Sequence, residues 1–157
     1  MIEFRLNMGD LVTTDRRDVM FTCLGLGSCI GLFLQDRTAR VSGGAHILLP
    51  TAEPSGFSNQ AFFDASSAVM ELLRQFRAMG STLKNVRAKM AGGAHVVDIK
   101  KNVGAQNLLS VQQLLIQQNI FIAAMDVGGV HCRSVRFQSA SGDMHVRVPH
   151  TNEVRTL

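Results

Sequence analysis

From Thr22 to Cys29 the chain reads TCLGLGSC, and Gly25 and Gly27 lead directly into Ser28 and Cys29. Two glycines let the main chain bend closely around the cysteine and aim successive N–H groups at one point, where a thiolate or an oxyanion can be held. A cysteine nucleophile needs a neighbouring imidazole to take its proton and later to protonate a leaving group. His46 is the nearest histidine along the chain. If Cys29 opens one strand and His46 lies near the end of the strand returning from a turn at Asp36 to Thr38, antiparallel pairing puts both at the same end of a sheet. A third group must fix the imidazole's tautomer, and a carboxylate, an amide, a hydroxyl or a main-chain carbonyl can serve. Thr22 is the local candidate. The bland alternatives are a small buried hydrophobe for Cys29 and an ordinary strand-end threonine for Thr22.

The other candidates are weaker. Cys23 lies in an apolar run and Cys132 in a β context beside His131, so both read as packing. A zinc site built from Cys23, Cys29, His46 and Cys132 has no short-spaced ligand pair to support it. The glycine pattern also resembles the start of a dinucleotide fingerprint, but the third glycine, the following helix and the later acid are missing. Two further glycine loops, AGGAH at Ala91 to His95 and DVGG at Asp126 to Gly129, each follow a predicted strand. Loops in that position are where α/β proteins build sites. Physics alone leaves the choice of base open between His46 and His95.

The elements that must position these groups are legible in part. Phe62, Ala65, Val69, Leu72, Leu73, Phe76 and Met79 recur at steps of three and four, which predicts a helix over 58–80 capped by Ser58 or Asn59 and stopped by Gly80. A second helix is predicted over 105–118, with Leu108, Leu109, Val111, Leu114 and Leu115 inward, glutamines outward and Asn119 at its end. Strands are predicted at 3–6, 18–23, 29–34, 40–49, 85–90 and 120–125. Period two over 133–138, a turn at 139–143 and a strand at 144–148 read as a β-hairpin. Eight or nine strands with two good helices make a mixed α/β or α+β fold. The segment Pro50 to Phe57 holds two of the three prolines and reads as a mobile loop.

The chain has 157 residues, 46% of them apolar and 18% charged, which suits one folded domain spanning 1–157 and argues against disorder. No apolar run approaches the ~20 residues of a membrane-spanning helix, and the first residues lack the pattern of a secretory signal, so the expected location is cytoplasmic, without membrane insertion. Three cysteines with no C-x-x-C pair do not make a disulfide framework. There is no Trp or Tyr, so base stacking would fall to Phe alone and no nucleic-acid partner is expected. The net charge of +4 is uneven: up to Met70 there are five basic and seven acidic residues, and beyond it eleven and five. Clusters such as Arg74/Arg77, Lys84/Arg87/Lys89 and Lys100/Lys101 can attract an acidic surface, although a solvated basic face is the plainer reading of each.

The run TCLGLGSCIGLFLQDRTARVSGGAHILLP, followed by AKMAGGA, NVGAQN and DVGGVHCRSV, resembles the chemotaxis receptor glutamine deamidase family known as CheD, in order from about Met8 to Val148. The resemblance implies a cysteine hydrolase that converts selected receptor glutamines to glutamate with release of ammonia, in some members also hydrolysing glutamyl methyl esters. It implies a triad of Cys29, His46 and Thr22, with no metal or organic cofactor. It also implies a layered α/β fold with a β-sandwich-like core and two or three flanking helices, similar to cytotoxic necrotizing factor deamidases. The implied partners are methyl-accepting receptors, through their helical cytoplasmic region, and a CheC-type phosphatase competing for the same surface.

Attack of a Cys29 thiolate on a glutamine carbonyl creates an oxyanion that the Gly27 and Ser28 turn is suited to hold. Gly92, Gly93, Asn107, Asp126, Gly128, Gly129 and Arg133 match family positions and are expected to shape the site. The sequence departs from the family pattern at His95, Gln106 and the pair Val130-His131, which bears on partner choice more than on chemistry. Two rival readings are a regulatory binding module of the same fold and a redox-sensing thiol at Cys29.

Overall fold

The computed structural model describes residues 1–51, 62–96 and 101–157. Its strands and helices in chain order are β1 (Ile2–Arg5), β2 (Leu11–Thr14), β3 (Val19–Leu26), β4 (Ile30–Asp36), β5 (Val41–Ile47), α1 (Ala65–Ala78), β6 (Val86–Gly92), α2 (Val103–Gln117), β7 (Phe121–Val127), β8 (Arg133–Gln138), β9 (Met144–Arg147) and β10 (Val154–Thr156). One sheet runs in the order β1-β3-β8-β9-β10 and the other β2-β5-β4-β6-β7. The two sheets face each other, and both helices pack on the outside of the second.

This layering explains why β4 reads as a continuous apolar run. Every one of its residues is buried, because both of its faces are covered. Ile30, Leu32 and Leu34 join the core under the helices, while Cys29 and Phe33 turn the other way into the core between the sheets. There Phe33 stacks on Phe137 of β8, with centroids 5.2 Å apart, a contact worth about 0.5–1.5 kcal/mol beyond the area it buries.

The mixed α+β class, the two principal helices and the β8–β9 hairpin are as expected. The helix expected between the strands at 85–90 and 120–125 is α2, and the structure pairs those strands, β6 and β7, in parallel. The first helix differs from its prediction. It begins at Ala65, where the Asp64 carboxylate caps it by accepting from the Ser67 amide. Apolar spacing pointed to a start near residue 58 because Phe62 falls on the same period, but a carboxylate cap beats a periodic aromatic in deciding where a helix begins. Most of the Pro50–Phe57 loop, the proposed caps Ser58 and Asn59, and Lys100 lie outside the described residues.

Leu109 is exposed rather than inward, because α2 covers the sheet with Gly104, Asn107, Val111 and Leu115. Two short strands were not foreseen. Both β2 and β10 are edge strands, too short for a period to show. Among the described residues, no helix is long and apolar enough to cross a membrane.

Candidate active site

The residues before Cys29 leave β3 through an irregularity. Pairing of β3 with β8 shifts between Cys23 and Leu26, and Gly25 takes a positive φ of 63° there while its amide donates to the Ser134 hydroxyl. The turn Gly27-Ser28-Cys29 is then tied down by its carbonyls. Gly27 O accepts from the Ala94 amide (2.8 Å), Ser28 O from the Asn107 side chain (2.8 Å) and Cys29 O from the Gly93 amide (2.9 Å). Among the described residues, none accepts from the N–H groups of Gly27, Ser28 and Cys29.

On the returning strand His46 stands opposite Gly31. Residues 29 and 31 share a face of the pleat, so the thiol and the imidazole lie diagonally at one end of the sheet, on the side facing β3. The segment after β1 wraps the histidine. Gly9 N donates to His46 O (2.9 Å), His46 N donates to Asp10 O (3.0 Å), and the ring Nδ1 lies 2.9 Å from Leu6 O. A carbonyl can only accept, so Nδ1 carries the proton and Nε2 is left with a free lone pair. Nε2 is buried and, among the described residues, has no hydrogen-bond partner.

Cys29, His46 and Thr22 line one cavity of about 310 Å³, together with Arg5, Leu6, Asn7, Met8, Leu24 and Gly25. Thr22 does not face the imidazole. Its hydroxyl donates to Glu3 (2.8 Å), while its carbonyl accepts from the Leu6 amide (2.8 Å). The group that orients His46 is thus a main-chain carbonyl, and Thr22 holds the residue bearing it. No side-chain pattern advertises a main-chain acceptor; the available signal was the turn sequence Asn7-Met8-Gly9-Asp10, closed by Asp10 N to Asn7 O and by Asn7 N to the Asp10 carboxylate.

Burial sets the protonation states. The Cys29 thiol is pushed up to about 11, and His46 is held below the ordinary imidazole value by desolvation, partly offset by its bond to Leu6. At neutral pH the resting site therefore holds a thiol and a neutral imidazole. Cys23, deeper between the sheets, is pushed up to about 12 by burial. Cys132 is half-buried, and its sulfur borders Gly27. His95 does not line the cavity; its amide binds Gly129 O. Among the described residues, no three His, Cys, Asp or Glu side chains are arranged around a point that could hold a metal.

The remaining family-matched residues form a scaffold behind the turn. Asn107, fully buried, donates its amide to both Ser28 O (2.8 Å) and Leu48 O (3.0 Å), bracketing the cysteine turn to the histidine strand. Arg133 donates to the main chain and carboxylate of Asp126 (both 2.6 Å) and to the carbonyl of Gly128. Gly128 N in turn donates to Gly92 O (2.9 Å). Gly92 and Gly93 pass beside Cys29 and Ile30 with φ of 112° and 65°.

The fold and cavity together define a layered α+β domain in which one thiol and one imidazole of fixed tautomer share an opening at the end of a sheet sandwich. The chain belongs to the CheD family. The family described as CheD chemotactic sensory transduction matches residues 48–148. Relatives include a probable chemoreceptor glutamine deamidase CheD 1 of Methanosarcina mazei, 38% identical over 90% of this chain and 64% of its own length. A probable chemoreceptor glutamine deamidase CheD of Desulfitobacterium hafniense is 35% identical over 94% of both chains. The chemoreceptor glutamine deamidase CheD of Thermotoga maritima is 33% identical over 90% of this chain and 89% of its own. The chain thus spans less than two thirds of the Methanosarcina relative and nearly all of the other two.

Proposed function

We propose that this chain is a cytoplasmic protein-glutamine deamidase acting on the helical region of chemotaxis receptors, with Cys29 as nucleophile and His46 as its base. The observation that carries the reading is the His46 ring: Nδ1–H is committed to Leu6 O, Nε2 has no hydrogen-bond partner among the described residues, and His46 and Cys29 line one cavity. The names of the relatives supply the substrate class.

As the thiol attacks the side-chain amide carbon of a glutamine, Nε2 takes its proton and the carbonyl oxygen becomes an oxyanion facing the N–H groups of Gly27, Ser28 and Cys29. The imidazolium then returns that proton to the departing NH2 group, which leaves as ammonia, and a thioester remains. Water deprotonated by the same Nε2 attacks the thioester, and glutamate and thiol are released. Glutamyl methyl esters fit the same sequence, with methanol as the leaving group. No metal or organic cofactor is required by any step. A CheC-type phosphatase presenting a similar surface competes for the same opening.

The deciding experiment is peptide-level mass spectrometry of a receptor cytoplasmic fragment incubated with wild-type protein and with Cys29→Ala and His46→Ala. Glutamine-to-glutamate conversion that needs both residues is expected. No conversion on several receptors by folded, reduced protein overturns the reading.

The resting protonation states give a pH prediction. With the thiol pushed up to about 11, alkylation of Cys29 by iodoacetamide in the free protein should rise about tenfold per pH unit through neutrality without a plateau. Turnover behaves differently, because it needs only neutral His46. It should be flat at neutral pH and fall on acidification through a pKa below the usual 6.5, the direction in which burial moves this imidazole. An alkylation plateau between about pH 5 and 7 would reveal a preformed thiolate–imidazolium pair instead.

A further inference from the structure

The outer face of the β1-β3-β8-β9-β10 sheet is a surface that the proposed chemistry leaves without a task. Phe21, Cys23, Val135 and Phe137 point into the core, so period two turns Met20, Leu24, Arg136, His145 and Arg147 outward. Both helices lie on the other sheet. A groove of about 670 Å³ crosses this face, with Met20, Leu24 and Val154 among its apolar lining and Arg136, Arg147, His145 and His150 among its polar lining. Leu24 and Val154 are 57% and 60% exposed. Among the described residues, no carboxylate lines the groove. Glu3 on the adjoining strand is engaged by Thr22 and Arg5, and Glu153 by Arg155.

Two further features give the groove a specific occupant. Leu24 lines both the groove and the Cys29 cavity, so a chain lying in one runs on to the other. The register pairs Thr22 with Arg136, Arg136 with His145 and His145 with Thr156. The span from β3 to β10 is three strand spacings, ~14 Å, enough to seat a helix about 10–12 Å across. Ser134 faces Arg147 and Arg136 faces His145, which sets the two arginines diagonally, ~7–8 Å apart at the backbone. Carboxylates one helical turn apart are within reach of both.

We propose that this groove seats an acidic amphipathic helical segment of the glutamine-bearing protein, its apolar side on Leu24 and Val154 and its carboxylates on Arg136 and Arg147, so that a neighbouring glutamine enters the Cys29 cavity. The proposal rests on the deamidase reading for what the bound protein is, and the test separates the two. Binding is measured in the Cys29→Ala background, where no hydrolysis intervenes, by titrating a labelled receptor cytoplasmic fragment from about 0.05 M to about 0.3 M salt.

Adding Arg136→Glu with Arg147→Glu is expected to weaken binding roughly tenfold or more at low salt and to flatten its salt dependence. The milder pair Arg136→Gln with Arg147→Gln should show the same trend if the reversed pair melts early. Arg17→Glu, the same change of charge just before β3 at its other end, is expected to bind as the parent does. Equal binding by parent and reversed proteins discards the groove, even if wild-type protein deamidates the fragment. Self-association of the parent that Leu24→Ser abolishes would make the groove a contact between copies and also overturns the proposal. If the parent binds no receptor fragment and the wild-type protein deamidates none, both readings fall.

Discussion

Cys29→Ala is expected to lower the rate of glutamine deamidation by about 10⁴-fold or more, and His46→Ala by a comparable factor, because in the proposed reaction the two act as one unit, nucleophile and base. Neither change should disturb the fold much. Cys29 is 8% and His46 5% exposed, but both stand at the open end of the sandwich rather than at the centre of either core. Thr22 should behave differently. Its carbonyl holds Leu6 and its hydroxyl holds Glu3, so Thr22→Val leaves the main-chain contact and removes only the tie to β1. A loss of about tenfold is expected, with rescue by Thr22→Ser.

The acid limb of the pH profile separates positioning from simple loosening of the fold. The Leu6 bond raises the His46 pKa, so a misaligned carbonyl in Thr22→Val should move that limb to lower pH. An unmoved limb, with the same loss of rate, would place Thr22 outside the orientation of the imidazole. Kinetics on a receptor fragment at several pH values, with thermal melts alongside, distinguish these outcomes.

Gly92→Ala is expected to damage both stability and activity although Gly92 performs no chemistry. Its φ of 112° lies where only glycine is comfortable, and a Cβ there would collide with the Cys29 carbonyl oxygen, a backbone atom that cannot swing away. Strain of about 1–3 kcal/mol from the dihedral alone, with the collision added, suggests a total near 3 kcal/mol or more. For a chain of this size that lowers the melting temperature by roughly 6–12 °C.

The collision also pushes on the turn that carries Cys29, so activity should fall well beyond what the unfolded fraction explains. Gly80→Ala is the control. Gly80 also has a positive φ, 93°, but nothing lies within 4 Å of its would-be Cβ, so it should lose stability without the added loss of activity. Melting curves and turnover measured on the same preparations check both. A Gly92→Ala protein that melts and turns over like the parent would mean that β6 can retreat from the cysteine turn.

The legible parts of this protein were those written in local pattern. The continuous apolar run of β4, the period-two β8–β9 hairpin and the three- and four-residue spacing of α1 each report burial on neighbouring residues, and burial is what a one-dimensional pattern encodes. That Cys29 and His46 stand at the same end of one sheet was also legible, because a short hairpin fixes its own register once its turn is known. The edge strands β2 and β10 carry too few buried residues to leave such a trace. The start of α1 went unread because the Asp64 cap competes with a periodic Phe62 that the helix never reaches.

By itself, the sequence determined which groups are present and roughly where each lies along its strand: a cysteine after a glycine turn, a histidine at the same end of the hairpin on its returning strand, and glycines where later loops must approach them. Tertiary structure alone decided how those groups are used. The acceptor for His46 Nδ1 is the Leu6 carbonyl, delivered from the other sheet by the 6–10 segment, and a main-chain carbonyl is common to every residue type. Burial in the fold, rather than residue type, holds Cys29 as a thiol and His46 neutral. Hydrogen bonds to main-chain atoms and the loss of water around a charge depend on what the folded chain brings near, and neither leaves a mark on the order of side chains.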